Sequence, residues 1–230
     1  MNSASETLES FGGIVRLFPL PNLVLFPHVV QPLHIFEPRY REMMADALDD
    51  DKLIALALLR PGWEEDYHKR PPVHPIICLG RIVHHEKMVD GRYNLMLTGL
   101  SRARIVEEMS EGKSYRQARV ELCSDCPVGN SERSKNLRKE LGASVLPFFS
   151  AEPASVDQLK RLLDSELSLG ALDDIFSFAL PLEVQVKQRL LETLCVETRN
   201  RLLLEAIREL PAPAKASEAK RKFPPDFSPN

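Results

Sequence analysis

The sequence lacks any long hydrophobic run, since no uninterrupted apolar stretch approaches the roughly 20 residues that cross a bilayer. The opening stretch, MNSASETLESFGG, has no basic segment and no apolar core, so it does not resemble a secretion signal. Cysteine is scarce too: four in 230 residues are too few for a disulfide framework. These absences predict a cytoplasmic protein with reduced thiols that does not span a membrane.

An excess of positive charge is also missing. Thirty Lys and Arg residues stand against 33 Asp and Glu residues, which gives a formal net charge of −3. Proteins that bind nucleic acids usually present a basic field to the phosphates, so the balance argues against an RNA or DNA partner. RNA binding stays open as an alternative because Arg102 and Arg104, with Arg81 and Arg92 nearby, can form a local basic patch.

No catalytic motif is complete. There is no GxSxG sequence, and nothing selects a particular Ser, His and Asp as partners. The letters EGKS at 111–114 resemble the end of a Walker A motif, but Glu107 occupies the position of the first glycine. We therefore predict a protein that is not an enzyme and that uses no cofactor.

Two groups of possible metal ligands are too small for a site. Cys123 and Cys126 form a CxxC spacing, but structural zinc needs four ligands and Cys195 falls in a helical pattern. His84 and His85 are adjacent in a predicted strand, where they point to opposite faces; one is expected to be partly buried. We predict no metal site and interpret CSDC as a turn with two thiols, with zinc or redox chemistry as the alternative.

Hydrophobic patterning divides the chain near residue 127. Before it, apolar residues alternate or form short runs, and after it they recur at intervals of three and four. The polar, aperiodic ends at 1–12 and 211–230 are predicted to be disordered. Between them we expect a β-rich subdomain at 13–126 and a helical subdomain at 127–210.

The β-rich part contains strand-length segments interrupted by prolines. IVRLF, NLVLF, VVQPLHIF and KLIALALL are predicted strands, and a helix over EPRYREMMADALDD starts at Pro38. The polar segment RPGWEEDYHKRPP is predicted to be an exposed loop that carries Trp63.

A hairpin is the clearest local prediction. Asp90-Gly91 between two extended segments is typical of a type I′ turn, in which both central residues have positive φ. Gly80 and Gly99 lie inside strand patterns, where glycine indicates a bulge or a close backbone approach. EGKSYRQARVEL is predicted to add one more turn and strand.

The second part is predicted to be a set of amphipathic helices. One stripe runs from Leu137 to Phe148 and another from Val156 to Leu167. A third helix covers ALDDIFSFAL, and the remainder up to residue 210 forms two helices with a break near Cys195 to Thr198. Such helices are not stable alone and must pack together or on the sheet.

Four segments in this order resemble the N-terminal, substrate-recognising domain of the ATP-dependent Lon protease. They are FPLPNLVLFPHVVQPLHIFEPRYREMM, CLGRIV, DGRYNLMLTGLSRARIVE and LPLEVQVKQRLLETLCVETRNRLL, and the resemblance covers roughly residues 13 to 210. It implies an α+β fold, a PUA-like β-barrel subdomain followed by a C-terminal helical bundle. A Lon protease continues into an ATPase and a Ser-Lys protease domain, so the resemblance implies a stand-alone recognition protein without them.

The resemblance also implies partners: unfolded or tagged polypeptides, and a separate ATP-dependent protease. An apolar surplus at Phe148, Phe149, Phe176 and Phe178 is a candidate binding patch, although core packing is the default for such residues. Arg39, Arg102 and Arg104 match basic positions of the family, and we add Arg102 and Arg104 to the candidate site. Arg39 is expected to clamp its helix through carboxylates or carbonyls.

We expect binding in a groove between the β-rich part and the helices, by apolar burial with some backbone pairing at a sheet edge. The role would be that of an adaptor or a chaperone-like holder in protein quality control. A small-molecule sensor is a further alternative, which a pocket with converging polar groups would favour.

Overall fold

The computed structural model describes residues 4–66, 69–109, 112–149 and 153–211. They form two compact units, one ending at Cys123 and the other beginning at Ser124. The boundary after residue 126 stays a prediction from the sequence. Residues 4–9, predicted to be disordered, form a short helix, while the predicted tail from residue 212 onward lies outside the described residues.

In its described residues, the first unit is a mixed β-barrel with two helices and a 3-10 turn. Its strands run in the sheet order β2-β5-β4-β3-β1-β6, and β6 also pairs with β5, which closes the barrel. Only β1 and β3 are parallel among the paired strands. The elements are α1 Ala4–Glu9, β1 Ile14–Leu20, β2 Val30–Ile35, α2 Pro38–Asp49, β3 Leu53–Leu58, the turn Trp63–Asp66, β4 Ile76–Lys87, β5 Tyr93–Glu108 and β6 Arg116–Cys123.

Strand β5 is long enough to serve two sheets. Its second half pairs with β6 inside the barrel, whereas Tyr93 to Thr98 pair with β2 on one side and with the end of β4 on the other. The result is a three-stranded extension β2-β5-β4 beyond the closed barrel. The barrel interior is filled by small and branched side chains such as Leu17, Ala55 and Ile77.

The sequence predicts a strand over NLVLF, but the structure has no strand there. The segment is nevertheless buried. Val24, Leu25 and Phe26 are at most 3% exposed. The backbone here contacts Gly99, whose N–H donates to the Val29 carbonyl and whose carbonyl accepts from the His28 N–H. The predicted close approach at a strand glycine is therefore confirmed, and this segment is what approaches.

The β4–β5 hairpin is confirmed, but its turn differs from type I′. Gly91 has a φ of +82°, and Asp90 is not among the residues with positive φ. The Gly91 N–H donates to the Met88 carbonyl, so Val89 and Asp90 are the central residues and Gly91 follows them. The Asp90 carboxylate instead binds the Arg92 side chain, at 2.6 Å.

Trp63 is not in a fully exposed loop. It begins the 3-10 turn and packs, partly buried, against the barrel core. The proline-bounded segment around it therefore contributes to the hydrophobic core.

The described residues of the second unit form five helices: α3 Ser131–Phe149, α4 Pro153–Leu163, α5 Leu169–Ala179, α6 Val184–Glu192 and α7 Val196–Glu209. Leu137, Leu141 and Val145 are the buried stripe of α3, as the spacing predicts. The predicted break near Cys195 is confirmed between α6 and α7. Helices α3 and α5 pack against α7.

A buried polar network lies where α7 packs on α5. The Arg199 side chain is 0% exposed; it donates to both carboxylate oxygens of Asp125 and lies 3.5 Å from Asp174. The Asn200 side-chain amide donates to Asp173 at 2.7 Å. Burial raises the pKa of Asp173 to about 8. Burial thus favours the protonated form of Asp173 beside the Arg199 ion pair.

Within the described residues, no helix has both the length and the apolar character needed to cross a membrane.

Candidate functional site

Along β2 and β5, the three-stranded extension has one buried and one outward face. Leu33, Leu95 and Leu97 on the inner side are at most 1% exposed. Cross-strand partners share a face, so the register assigns the other side. We call this side the outer face: Val30, Pro32 and His34 of β2, Asn94, Met96 and Thr98 of β5, and Arg81, His84 and Glu86 of β4.

Apolar groups occupy the middle of the outer face. Val30 is 45% exposed, and Pro32 and Met96, which are cross-strand neighbours, are partly exposed. Phe36, just beyond β2, is 37% exposed and its ring stacks on His34. The charged side chains that the register places on this face, Arg81 and Glu86, lie at its β4 border. An apolar strip thus runs along β2 and β5.

His34 is held in a fixed position on this face. Its Nδ1 lies 2.7 Å from the Asn94 side-chain oxygen, and its Nε2 lies 3.4 Å from Arg92 Nη1. The imidazole is therefore positioned by Asn94 of β5 and by Arg92 of the hairpin, while one face of its ring stacks on Phe36. A partner on the strip would meet one rigid aromatic and polar site.

The edge of β2 is poorly suited to pairing with another strand. Pro32 has no N–H to donate, and its carbonyl accepts from the Gln31 side chain at 2.7 Å. Proline on an edge strand blocks strand addition. The expected backbone pairing at a sheet edge is therefore disfavoured at β2, and the outer face offers side-chain contacts instead.

A second feature of the β unit is a basic cavity of about 400 Å³. It lies among the start of α2, residues 69–70, Met109, and residues 112–117 around the start of β6. Five of its lining residues carry positive charge, and no Asp or Glu is among the described lining residues: the cations are Arg39, Lys69, Arg70, Lys113 and Arg116. Ser114, Gln117 and Tyr40 add polar groups.

Asp46 of α2 ties one wall of this cavity to the helix. Its carboxylate accepts from Lys113 Nζ at 2.7 Å and from the Tyr115 hydroxyl at 2.6 Å. The Lys113 ammonium, followed by the Tyr115 hydroxyl, lowers the pKa of Asp46. Burial and the Asp46 carboxylate raise the pKa of Tyr115, so the phenol remains a donor. The segment Lys113–Tyr115 is thereby held against α2.

Of the six residues proposed from the sequence, Phe148, Phe149, Phe176 and Phe178 lie in the helical unit, and Arg102 and Arg104 lie in the β unit. In the helical unit, Phe176 is 1% exposed and packs on Phe149, with ring centroids 6.1 Å apart. Phe148 and Phe178 are partly exposed, and the Lys187 ammonium lies over the Phe178 ring and donates to its carbonyl. A peptide-binding patch at these phenylalanines stays a prediction, and the burial of Phe176 supports core packing for that residue.

Arg102 and Arg104, the two candidate arginines, differ in their exposure to solvent. Arg102 is 2% exposed, whereas Arg104, two residues along β5, is exposed. Arg102 is thus unavailable to a partner in this conformation, and a role for Arg104 stays a prediction. Arg39 pairs with Glu37 at 2.9 Å and lies over the Tyr40 ring, so its carboxylate contact is local to the start of α2.

The candidate metal ligands are also distributed. The backbone of Cys126 pairs with that of Cys195 in an isolated β-bridge, and both thiols are free. Cys123 is not the partner in this bridge. His84 and His85 are both exposed. The expectation that one histidine is partly buried is wrong because the end of β4 projects with both faces exposed. Among the described residues no three His, Cys, Asp or Glu side chains form a metal-binding group.

Sequence reasoning missed the outer face and the basic cavity for different reasons. Alternation in VVQPLHIF and YNLMLTG does separate Leu33 and Leu95 from Pro32 and Met96, but it does not say which set is covered. The cavity brings together residues from position 39 to position 117, a spacing without any local signal.

Comparison with known proteins gives a family. The model of the ATP-dependent protease La (LON) substrate-binding domain matches residues 14–209. Lon protease 2 of Myxococcus xanthus is 29% identical over 205 residues, which cover 86% of this chain and 24% of that protein. Lon protease of Anaeromyxobacter dehalogenans is 27% identical over 202 residues, which cover 86% of this chain and 23% of that protein. The chain thus spans about a quarter of the length of these relatives.

Solved structures share the fold. The N-terminal domain of the Mycobacterium avium complex Lon protease superimposes with a TM-score of 0.66 at 21% identity, over 85% of this chain and 98% of that one. A Lon N-terminal domain protein from Xanthomonas campestris has a TM-score of 0.60 at 22% identity, over 84% and 97% of the two chains. With a barrel and helices in the predicted order and a family match across nearly all described residues, this chain belongs to the Lon substrate-binding domain family.

Proposed function

We propose that the chain recognises extended polypeptide segments with apolar side chains, and that the outer face of β2-β5-β4 binds them. The observation that carries the proposal is the apolar strip of Val30, Pro32 and Met96 on a sheet whose opposite side is the core. Exposed apolar patches on folded proteins often mark interaction surfaces.

The family supports this function, because its description is that of a substrate-binding domain. In the proposal the chain contributes recognition and no covalent chemistry. It would act in the cytoplasm in one of two roles. As an adaptor it would deliver clients to an ATP-dependent protease, and as a holder it would bind the clients of such a protease. Unfolding and cleavage of the client belong to that partner.

Recognition would depend on side-chain burial on a rigid surface. The strip lies on paired strands, so it is ordered before the partner arrives and loses little conformational entropy on binding. His34, fixed by Asn94 and Arg92, would add a polar contact. Apolar contacts give loose sequence selectivity, which suits a protein that meets many unfolded chains.

The test is binding of a fluorescently labelled, reduced and alkylated protein that cannot fold, measured by anisotropy. Val30→Lys and Met96→Lys place a charge on the strip, and each should weaken binding about tenfold. The matched control is Val89→Lys at the hairpin tip, where the side chain is fully exposed and off the strip. Melting curves of all three variants should match that of the wild type.

Equal binding by the strip variants and the control would overturn the proposal, as would no binding by the wild type. Salt distinguishes the RNA alternative. Apolar contacts should change little between low and physiological salt, whereas affinity for a single-stranded RNA probe should fall steeply because counterions are released.

The adaptor and holder roles separate in a second assay. A holder suppresses light scattering by an aggregating client when no protease is present. An adaptor instead accelerates degradation of that client by an added ATP-dependent protease, and Met96→Lys should abolish either effect.

A further inference from the structure

The basic cavity of the β unit is built from cations that are held from behind. Arg116 on its floor is 8% exposed, and its guanidinium donates to both oxygens of Glu108 and, at 2.8 Å, to the Pro71 carbonyl. Arg39 pairs with Glu37. Neither carboxylate lines the cavity. The carboxylates therefore fix the positions of two arginines that line the cavity.

The rim carries donors that these bonds do not use up. Arg70 Nη2 donates to the Met109 carbonyl at 2.9 Å, and within the described residues Arg70 has no carboxylate partner. Lys113 uses one bond to Asp46. Since a guanidinium has five N–H donors and an ammonium three, both residues keep donors for a ligand.

The start of helix α2 adds to the same field. Arg39 and Tyr40 in its first turn line the cavity, so the partial positive charge of a 12-residue helix is near the open volume. Amide dipole, arginine forks and lysine ammonium all favour oxyanions. The volume of about 400 Å³ lies within the usual range for small-molecule sites.

We propose that this cavity binds a small phosphate-bearing anion, with Arg70 and Lys113 as direct partners. Several converging cations favour a group that carries more than one negative charge in a compact volume, which phosphate and diphosphate groups do and a single carboxylate does not. The site is distinct from the outer face and does not depend on polypeptide binding there.

Calorimetric titration of the purified chain with pyrophosphate, inorganic phosphate and acetate at constant ionic strength tests the assignment. We expect saturable binding of pyrophosphate and phosphate below about 10 mM, with acetate, a single carboxylate, at least tenfold weaker. Arg70→Gln and Lys113→Gln should each weaken phosphate binding about tenfold. Arg104→Gln is the control, because that arginine is exposed on β5 outside the cavity.

Three results would overturn the proposal: no saturable binding of either phosphate, equal affinity for acetate, or equal loss in Arg104→Gln and Arg70→Gln. Polypeptide binding by the same variants gives an independent readout. Absence of polypeptide binding in the wild type with intact phosphate binding shows that the outer-face proposal fails. Absence of phosphate binding in the wild type with intact polypeptide binding shows that the cavity proposal fails.

A different observation in the helical unit carries a second inference. Cys126 and Cys195 are partners in an isolated parallel β-bridge: the Cys126 N–H donates to the Leu194 carbonyl and the Val196 N–H donates to the Cys126 carbonyl. Both cysteines are exposed and reduced. Paired residues of neighbouring strands lie about 5 Å apart on one face, within the Cα separation that disulfides require.

Neighbouring contacts hold this pair in register. Asp125, beside Cys126, accepts two bonds from Arg199, one turn into the helix that Cys195 begins. The Cys195 side chain makes no capping hydrogen bond, yet it lies near Thr198, whose hydroxyl and N–H lower the pKa of the thiol, while Glu197 opposes the shift. A thiolate is the form that attacks oxidants.

We propose that peroxide converts Cys126 and Cys195 into a disulfide. The Cys195 thiolate attacks one peroxide oxygen; the O–O bond breaks, a sulfenic acid forms, and the departing hydroxide takes up a proton to become water. The Cys126 sulfur then attacks the sulfenic sulfur, the S–S bond forms, and the S–O oxygen leaves with the Cys126 proton as a second water. Two thiols and one peroxide give one disulfide and two waters.

Non-reducing peptide mapping by mass spectrometry after treatment with hydrogen peroxide tests this. We expect peptides that contain Cys126 and Cys195 to be joined, and Cys123→Ser to leave that product unchanged. In Cys126→Ser, dimedone should trap the sulfenic acid at Cys195. A disulfide that joins Cys123 instead, or sulfinic acid at Cys195 of the wild type with no joined peptide, would overturn the proposal.

Discussion

Gly99 lies directly against the backbone carbonyl of Phe26, so close that a Cβ at position 99 would overlap with the carbonyl oxygen. The Gly99 N–H and carbonyl also bind Val29 and His28. This contact joins the proline-rich opening segment to the longest strand of the barrel. It requires glycine for its lack of a side chain and not for an unusual φ.

Gly99→Ala should therefore destabilise the β unit. Relieving the overlap requires the buried segment around Phe26 to move, and we expect a loss of about 2 kcal/mol or more in the free energy of unfolding. Chemical denaturation measures it. Gly12→Ala is the control, since a Cβ there meets nothing within 4 Å, and it should melt like the wild type.

Asp173 should make the stability of the helical unit depend on pH. Its folded-state pKa, about 8, exceeds the ordinary value of 3.8, because burial disfavours the carboxylate. Between these two values the folded chain holds a proton that the unfolded chain has lost. The free energy of unfolding should thus fall as pH rises from about 4 to 8, by at most about 1.4 kcal/mol per pH unit, and then level off.

Asp173→Asn removes this contribution, so the slope of stability against pH over that window should decrease in urea denaturation. Asp157→Asn changes the same formal charge on the exposed side of α4 and should keep the wild-type slope. A slope that is the same in Asp173→Asn and wild type would show that Asp173 is not the group responsible.

Two arginines on α7 allow a matched test of the buried ion pair. Arg199→Ala leaves Asp174, 1% exposed, without its counterion and should cost about 3 to 5 kcal/mol of unfolding free energy. Arg201 has a 59% exposed side chain and pairs with Glu197 one turn away, so Arg201→Ala should cost less than about 1 kcal/mol. Similar melting temperatures for the two variants would contradict this difference.

Leu95 and Met96 are adjacent on β5 but lie on opposite faces. Leu95 is 1% exposed, so Leu95→Ala should lower the free energy of unfolding by about 2 to 5 kcal/mol. Met96 on the outer face is partly exposed, and Met96→Ala should change stability by less than about 1 kcal/mol. The same pair tests the function, because Met96→Ala should weaken client binding while leaving the fold intact.

Local patterns predicted most elements of this fold. The spacing of Tyr40, Met43, Met44 and Ala47 identified α2, and the apolar run of β3 identified a strand buried along its length. They failed where a tertiary contact decided the conformation. NLVLF has the composition of a strand, yet it passes over Gly99 instead of pairing in the sheet. Trp63 lies in a polar segment, yet it packs against the hydrophobic core of the barrel.

The candidate sites were less predictable than the elements. Phe176 was a reasonable candidate for an apolar surface, but only packing shows that Phe149 covers it. The spacing CSDC indicates Cys123 as the partner of Cys126, whereas the backbone β-bridge joins Cys126 to Cys195, far along the chain. Spacing in sequence reports neighbours on one element and does not report neighbours between elements.

Patterns along the chain identify the family, the order of the elements and the change from β-rich to helical structure, because period and composition are local properties of the chain. Packing in three dimensions selects which alternating side chains of β2 and β5 stay uncovered and which distant cations surround the basic cavity. Packing also buries Asp173, which raises its pKa, and places Cys126 beside Cys195. These depend on burial and on distances between residues remote in sequence, which exist only once the strands and helices have packed.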